Sequence, residues 1–427
     1  MVVGSWSGCV AALLLTIAAF RSAAIKFEKV FEWKQLTFAD LPELSIDVSA
    51  GAVNETFQPY GNMPMGVVHH KQRLFISIPR RRPGIPATLT VIDLSTVPHG
   101  IRSPPLHAYP SYSVNELQPG YRSDLTRLVS VYRTRVDACE RLWFVDTGTL
   151  NYPDNPVRVQ RPQLWIIDLR HDQLVHRYLI PESIVFEGVG MASLTVDVNP
   201  SDCARAYAYI PDLVSNAIYV YSLQEDDMWV FRHSTFAYDP SRSQFNVAGL
   251  RYEWDDGIFS IAIGQNDTMA GSKLIFYHPM VSTTEFGTYA SVLQSKRIAM
   301  SDNYGELFQP LGERGPNTQS TMHHYDPRTG VLFYAQVARN AIGCWNTRHI
   351  YGVDTHGVVH QDNRELVYPS DLSSDSDGTL WVLTNNMPIW IYSRLNESDY
   401  NFRVWKQSPA IAIQGTKCHN IEQILHC

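Results

Sequence analysis

One short pattern recurs through this chain and constrains it more than any other feature: a polar turn followed by four or five apolar residues of strand-forming type. It appears at 74–78 (LFISI), 142–145 (LWFV), 206–210 (AYAYI), 258–262 (IFSIA), 331–334 (VLFY) and 380–383 (LWVL). Most instances follow turns rich in Asp or Gly, such as 137–140 (DACE), 255–257 (DDG), 326–330 (DPRTG) and 375–378 (DSDG). β-Branched and aromatic residues fit a pleated, buried surface, and Gly, Asp and Pro supply the turns between such segments. Helical periodicity is scarce, so the class is all-β.

Further strand-like runs follow several of these units, at 163–168 (QLWIID), 217–221 (AIYVY) and 389–392 (IWIY). Such groups of strands repeat at irregular intervals of about 50 to 70 residues, the signature of propeller blades with inserted loops. A four-stranded blade cannot bury both faces alone, so six of them packing around an axis predict a six-bladed β-propeller with a central channel. A β-sandwich also needs alternating strands, but six-fold recurrence argues against it. The ring must close, either by a strand shared between the chain ends or by a covalent join. One mouth of the channel is the expected ligand site.

The first residues read differently. An apolar run at 10–20 (VAALLLTIAAF) precedes Ser22-Ala23-Ala24, the shape of a signal peptide cleaved after Ala24, although no Lys or Arg precedes the run. The expected organisation is a signal peptide at 1–24, a single domain at 25–415 and a tail at 416–427. Removal of Cys9 with the signal would leave Cys139, Cys203, Cys344, Cys418 and Cys427, an odd number for an oxidising compartment. Spacing alone leaves their connectivity open. Asn54, Asn266 and Asn396 head sequons and are expected glycan sites on a secreted, extracellular protein.

A formal net charge of −7 with scattered Lys and Arg gives no footprint for nucleic acid. No second stretch is long and apolar enough to span a membrane. Metal-ligand spacings of Cys and His, Walker and dinucleotide fingerprints, Gly-x-Ser-x-Gly and His-Glu-x-x-His are all missing, so no metal or cofactor is expected.

Several long segments carry a family likeness. Residues 30–34 (VFEWK), 78–89 (IPRRRPGIPATL), 340–347 (NAIGCWNT), 370–372 (SDL) and 377–388 (DGTLWVLTNNMP) resemble the signature segments of the Yellow / major royal jelly protein family, and the likeness runs from about residue 26 to about 415. The resemblance implies a secreted six-bladed propeller with disulfides Cys139–Cys203 and Cys344–Cys418, leaving Cys427 unpaired. Arg81 stands where many similar proteins have Trp, which places the chain nearer the subgroup credited with converting dopachrome to a dihydroxyindole in melanin formation. An isomerase or tautomerase activity is therefore expected. The alternatives within the family are a non-catalytic binder of biogenic amines or other small aromatic ligands and a structural protein of cuticle or eggshell.

Dopachrome rearrangement needs a proton removed beside a quinone-like ring and protons delivered elsewhere, work for a positioned acid or base. The pairs His69-His70 and His323-His324 supply candidates, although alternation on a strand lets at most one of each pair face a shared cavity. Histidines of that kind also occur as ordinary strand residues. His69, His70, His323 and Arg339 are the expected catalytic set. For the carboxylate and hydroxyls of the ligand, Arg80, Arg82, Thr318, Gln319, Asn340, Asn385 and Asn386 are the expected contacts, because guanidinium pairs with carboxylate and amides bind hydroxyls. The competing readings are an Arg bonded to loop carbonyls and an Asn that forms its own turn.

Overall fold

A strand packed between two sheets has no face left for water, and the recurring apolar runs meet that condition. The computed structural model describes residues 27–41, 57–185, 190–301 and 303–419. They form six four-stranded antiparallel sheets and two small hairpins. The first strands of the sheets are Gly66–His70, Val131–Val136, Thr195–Asn199, Ile258–Asp267, Ser320–Asp326 and Pro369–Ser374. Each touches the first strands of its two neighbours, which closes a ring around an axis. The fold is a six-bladed β-propeller, and the blades are numbered here in that order.

Five of the six recurring runs are second strands: Arg73–Ser77, Arg141–Asp146, Asp202–Asp212, Val331–Gln336 and Leu380–Thr384. The sixth, at 258, begins the first strand of blade 4. The physical reason for the bias is burial. Arg141–Asp146 and Val331–Gln336 are buried at every position. First strands face the channel and admit His, Ser and Thr, which hides them from a search for apolar runs. Measured by first strands, the repeat is nearly even from Gly66 to Ser320 and shortens only before Pro369, so the irregular intervals expected from the runs do not hold. A second correction concerns 389–392, which lies in the short helix Met387–Tyr392. Pro388 sits in its first turn, where the missing N–H costs nothing.

Closure uses a strand from each chain end. Glu28–Trp33 pairs antiparallel with Phe402–Gln407, with Glu28 opposite Lys406 and Trp33 opposite Phe402, and forms the outer strand of blade 6. Trp33 is buried and its indole N–H donates to the Pro104 carbonyl at 2.8 Å. Both disulfides form as the resemblance implied. Cys139–Cys203 ties blade 2 to blade 3, and Cys344–Cys418 fastens the segment after the last strand to blade 5. Cys427, Asn54 and the expected signal peptide lie outside the described residues. Among the described residues, no helix is long and apolar enough to cross a membrane.

The apolar core lies between neighbouring sheets, as where Trp143 and Ile166 of blade 2 meet Ala208 and Tyr219 of blade 3. The axis is left for polar side chains.

Candidate active site at one mouth of the axial channel

All six first strands run the same way along the axis, so one mouth gathers their beginnings and the other their ends. The mouth at the beginnings holds a cavity of 360 Å³. Met65, Tyr132, Arg133, Ala192, Phe259 and Tyr368 line it from the starts of five blades, and loops add Arg81, Arg82, Tyr152, Asp154, Trp254, Asp255, Asp256, Trp390 and Tyr392.

Asp256 is the titratable group best placed for proton transfer here. Its backbone is clamped just before the first strand of blade 4: the Val281 N–H donates to the Asp256 carbonyl at 3.1 Å and the Gly257 N–H to Leu213 at 2.9 Å. The glycine is required, since a Cβ at Gly257 would lie 1.9 Å from Asn216 Oδ1. Burial raises the Asp256 carboxyl to about 6, the neighbouring Asp255 adds to the rise, and Arg81 and Arg133 oppose it. Such a carboxylate is mostly ionised at neutral pH yet basic enough to accept a proton.

Phenols surround it. Burial raises the hydroxyls of Tyr132, Tyr152 and Tyr368, the second to about 12, so all three remain donors at neutral pH. Tyr368 has φ 51°, a left-handed conformation that a bulky side chain seldom adopts. Asn340 Oδ1 accepts from its backbone N–H at 3.2 Å and holds the turn. Strain of this kind, worth about 1–3 kcal/mol, persists where surrounding structure over-determines it. Across the mouth, Trp254 donates to the Tyr392 hydroxyl, and the Tyr252 ring lies 4.8 Å from Tyr392 and 4.7 Å from Trp254, a wall able to stack against a flat ring.

The opposite mouth is narrower, with a cavity of 140 Å³ lined by Arg135, Thr195, His323, His324, Ser373 and Ser374 among others. Arg135 is paired with Asp371 at 2.8 Å, and His324 Nε2 meets Ser374 Oγ at 2.6 Å. Burial lowers His324 to about 4, so it is neutral. Behind this mouth, the ligand atoms of His278, Glu285 and His323 lie within 4.8 Å of one another. A cation is already there: the Arg314 guanidinium contacts Glu285 at 2.7 Å, and His323 Nδ1 is held by Ser260 Oγ at 2.6 Å.

The residues singled out from the sequence are distributed over the blades and do not meet in one cavity. His69 lines a groove between blades 1 and 6, with Nδ1 2.7 Å from Asp375 and its ring stacked on Trp381 at 4.4 Å. His70 is buried 3.5 Å from Glu140, and burial lowers its pKa. Arg339 donates to Pro316 O at 2.8 Å. Arg80 is 2% exposed and donates to the carbonyls of Ile85, Pro86, Asn115, Leu128 and Val129. Thr318 and Gln319 are buried and bond Gly315 O at 2.6 Å and Arg242 O at 2.9 Å. Asn340 and Asn385 stand behind the first mouth, where Asn385 Nδ2 donates to Pro64 O at 2.8 Å and its Oδ1 accepts from Met387 N at 3.1 Å. Asn386, in left-handed geometry at φ 53°, begins the Met387–Tyr392 helix. Arg82 lines the mouth itself.

Residue patterns alone missed Asp256, Tyr132, Tyr368 and Trp254. Their one visible signal is position: each stands at or just before a first strand, or in the small hairpin preceding one.

Fold and cavity together define a class: a six-bladed propeller with an aromatic, acid-bearing pocket at one end of its axis. Within that class, residues 129–418 match the family model described as Major royal jelly protein, and the chain belongs to this family. It is 45% identical over 407 residues to "L-dopachrome tautomerase yellow-f" of Drosophila melanogaster, covering 91% of this chain and 94% of that one. It is 33% identical over 402 residues to the "Dopaminechrome tautomerase" of the same species, covering 92% and 84%. Identity to "Protein yellow" of Drosophila yakuba is 33% over 415 residues, covering 96% of this chain and 74% of that one.

Proposed function

We propose that this protein is a secreted dopachrome-converting tautomerase of melanin formation, with its chemistry at the wider channel mouth. The observation that carries the reading is Asp256, a carboxyl raised to about 6 and facing a cavity walled by phenols and indoles. The 45% identity to a dopachrome tautomerase supports the choice of substrate.

The reaction moves two protons from carbons of the saturated five-membered ring to the two quinone oxygens, with no net oxidation. Asp256 takes a ring C–H proton, the electron pair flows into the quinone, and the Tyr132, Tyr152 or Tyr368 hydroxyl supplies a hydrogen bond as the oxygen gains charge. Trp254 and Tyr392 stack on the ring. If carbon dioxide leaves, the broken C–C bond supplies one electron pair in place of a C–H bond.

The signal-like sequence at 1–24 supports secretion, and two disulfides suit an oxidising compartment. Of the glycan sites, Asn266 and Asn396 are exposed on blade edges and loops.

The test is purified protein with fresh dopachrome, following loss of the coloured species and identifying the product by chromatography. Turnover well above the buffer blank is expected. A rate equal to the blank, beside saturable binding of catecholamines, would overturn the enzyme reading in favour of an amine binder.

A further inference from the structure

Three guanidiniums line the wider mouth, and they are not equivalent. Arg133 braces the walls: its Nε and Nη2 donate to Ser370 O at 3.2 and 2.7 Å, and its Nη1 donates to Ala192 O at 2.8 Å. The Arg82 guanidinium carbon lies over the Trp390 ring, 3.7 Å from its centre, and Nη2 donates to the Trp390 carbonyl at 3.1 Å, so its charge rests on an indole face. Arg81 is different. Its Nε is anchored on Tyr152 O at 3.1 Å, its guanidinium carbon lies 5.9 Å from the Trp390 ring centre against 3.7 Å for Arg82, and Nη1 meets the Met387 sulfur at 3.4 Å, a weak acceptor. Among the described residues, no carboxylate lies within 4.0 Å of Arg81, and no protein acceptor is found for its Nη2. A half-buried guanidinium whose outer edge faces a cavity without a paired carboxylate is a receptor for one.

We propose that Arg81 is the specificity-determining residue of this mouth: it selects aminochromes that carry a carboxylate on the saturated carbon beside nitrogen over the same ring without it. The inference rests on the wider mouth being the aminochrome site. The anchored Nε fixes the fork, leaving the two outer nitrogens for the two carboxylate oxygens. Arg81 and Asp256 line one cavity and interact through their charges, so a ring held by its carboxylate lies in the cavity that holds the base.

The experiment compares wild type, Arg81→Met and Arg81→Lys on dopachrome and on dopaminechrome, which lacks the carboxylate, with melting temperature as a check on folding. A charge-assisted pair is worth about 10- to 100-fold, so, at a pH well above the Asp256 limb where loss of the Arg81 charge no longer changes the base's ionisation, Arg81→Met should lose that much kcat/KM on dopachrome, mainly through KM, and stay within about threefold on dopaminechrome. Arg81→Lys should recover part of the loss, since it keeps the charge but not the fork. Equal losses on both substrates, or none on dopachrome, overturn the proposal while leaving the tautomerase reading intact. Calorimetric binding of indoline-2-carboxylate and indoline separates the two readings. A preference for the carboxylate that disappears in Arg81→Met supports the selectivity even if the wild type turns over neither aminochrome; no preference overturns it.

Discussion

Replacing Asp256 by Asn tests the chemistry most directly, because the side chain keeps its shape and loses its basicity. With a carboxyl near 6 in the free protein, the base is about nine-tenths ionised at pH 7 and about one-tenth at pH 5, so wild-type kcat/KM should rise about tenfold between those values and then level off. Asp256→Asn should lower kcat at pH 7 by about 10²–10⁴-fold and abolish that limb. Asp255→Asn supplies a finer test, since removing the neighbouring like charge lowers the Asp256 pKa and moves the limb to more acid pH. Stability runs the other way. A carboxyl raised above its unfolded value binds more protons in the folded protein, so its stabilising effect is present at acid pH and lost as pH rises through about 6. Asp256→Asn should therefore melt at or above the wild-type temperature at pH 7. Initial rates of dopachrome loss, corrected for the spontaneous reaction at each pH, provide the readout. If Asp256→Asn stays within about threefold of wild type at pH 7, well short of the loss expected for a general base, the assignment is wrong.

Arg80→Met should destabilise the fold by about 3 kcal/mol or more, because it strands buried carbonyls around blade 1, and should leave activity per folded molecule intact; chemical denaturation beside kinetics checks both. Burial holds His324 near 4 against 6.5 in an unfolded chain, so the folded state binds fewer protons between those values and this group's contribution to stability is lost as pH falls through that window. Melting curves of wild type and His324→Gln at pH 7, 5.5 and 4.5 should accordingly show the wild type losing ground to the variant as pH falls. Opening the Cys344–Cys418 bond by Cys418→Ser frees a loop of 74 residues, for which loop entropy predicts a loss of about 4 kcal/mol; non-reducing peptide maps and melting with and without reductant test it.

The fold was legible because its strongest constraint is local. A second strand squeezed between two sheets is buried along its whole length, as Val331–Gln336 is, and the apolar runs this favours can be counted without knowing what they touch. The ring and its closure were harder to read. Glu28–Trp33 and Phe402–Gln407 pair across almost the whole chain, and nothing in either segment identifies its partner. IWIY has the composition of a strand, but the left-handed Asn386 and the proline before it make Met387–Tyr392 a helix.

The site was less legible for a reason that the repeat itself supplies. In blade 2, Asp137 accepts from the Trp143 indole at 2.8 Å and from Arg141 at 2.7 Å; in blade 6, Asp375 accepts from the Trp381 indole at 2.8 Å and meets His69 at 2.7 Å. Both tryptophans stand six positions after their aspartate, at the turn between first and second strands. His69 thus takes in blade 6 the place that Arg141 takes in blade 2, so its conspicuous pairing with a carboxylate is what the blade turn would produce with or without catalysis. Asp256 breaks the pattern. It lies at the other end of its strand, among loops that differ from blade to blade, and no repeated partner neutralises it. In a propeller, a polar residue whose bonds recur in another blade belongs to the scaffold, whereas one without a counterpart at the mouth is where function can differ between chains of the same fold. By that criterion His69→Ala should cost stability and leave the pH limb of turnover unmoved, whereas Asp256→Asn should do the reverse.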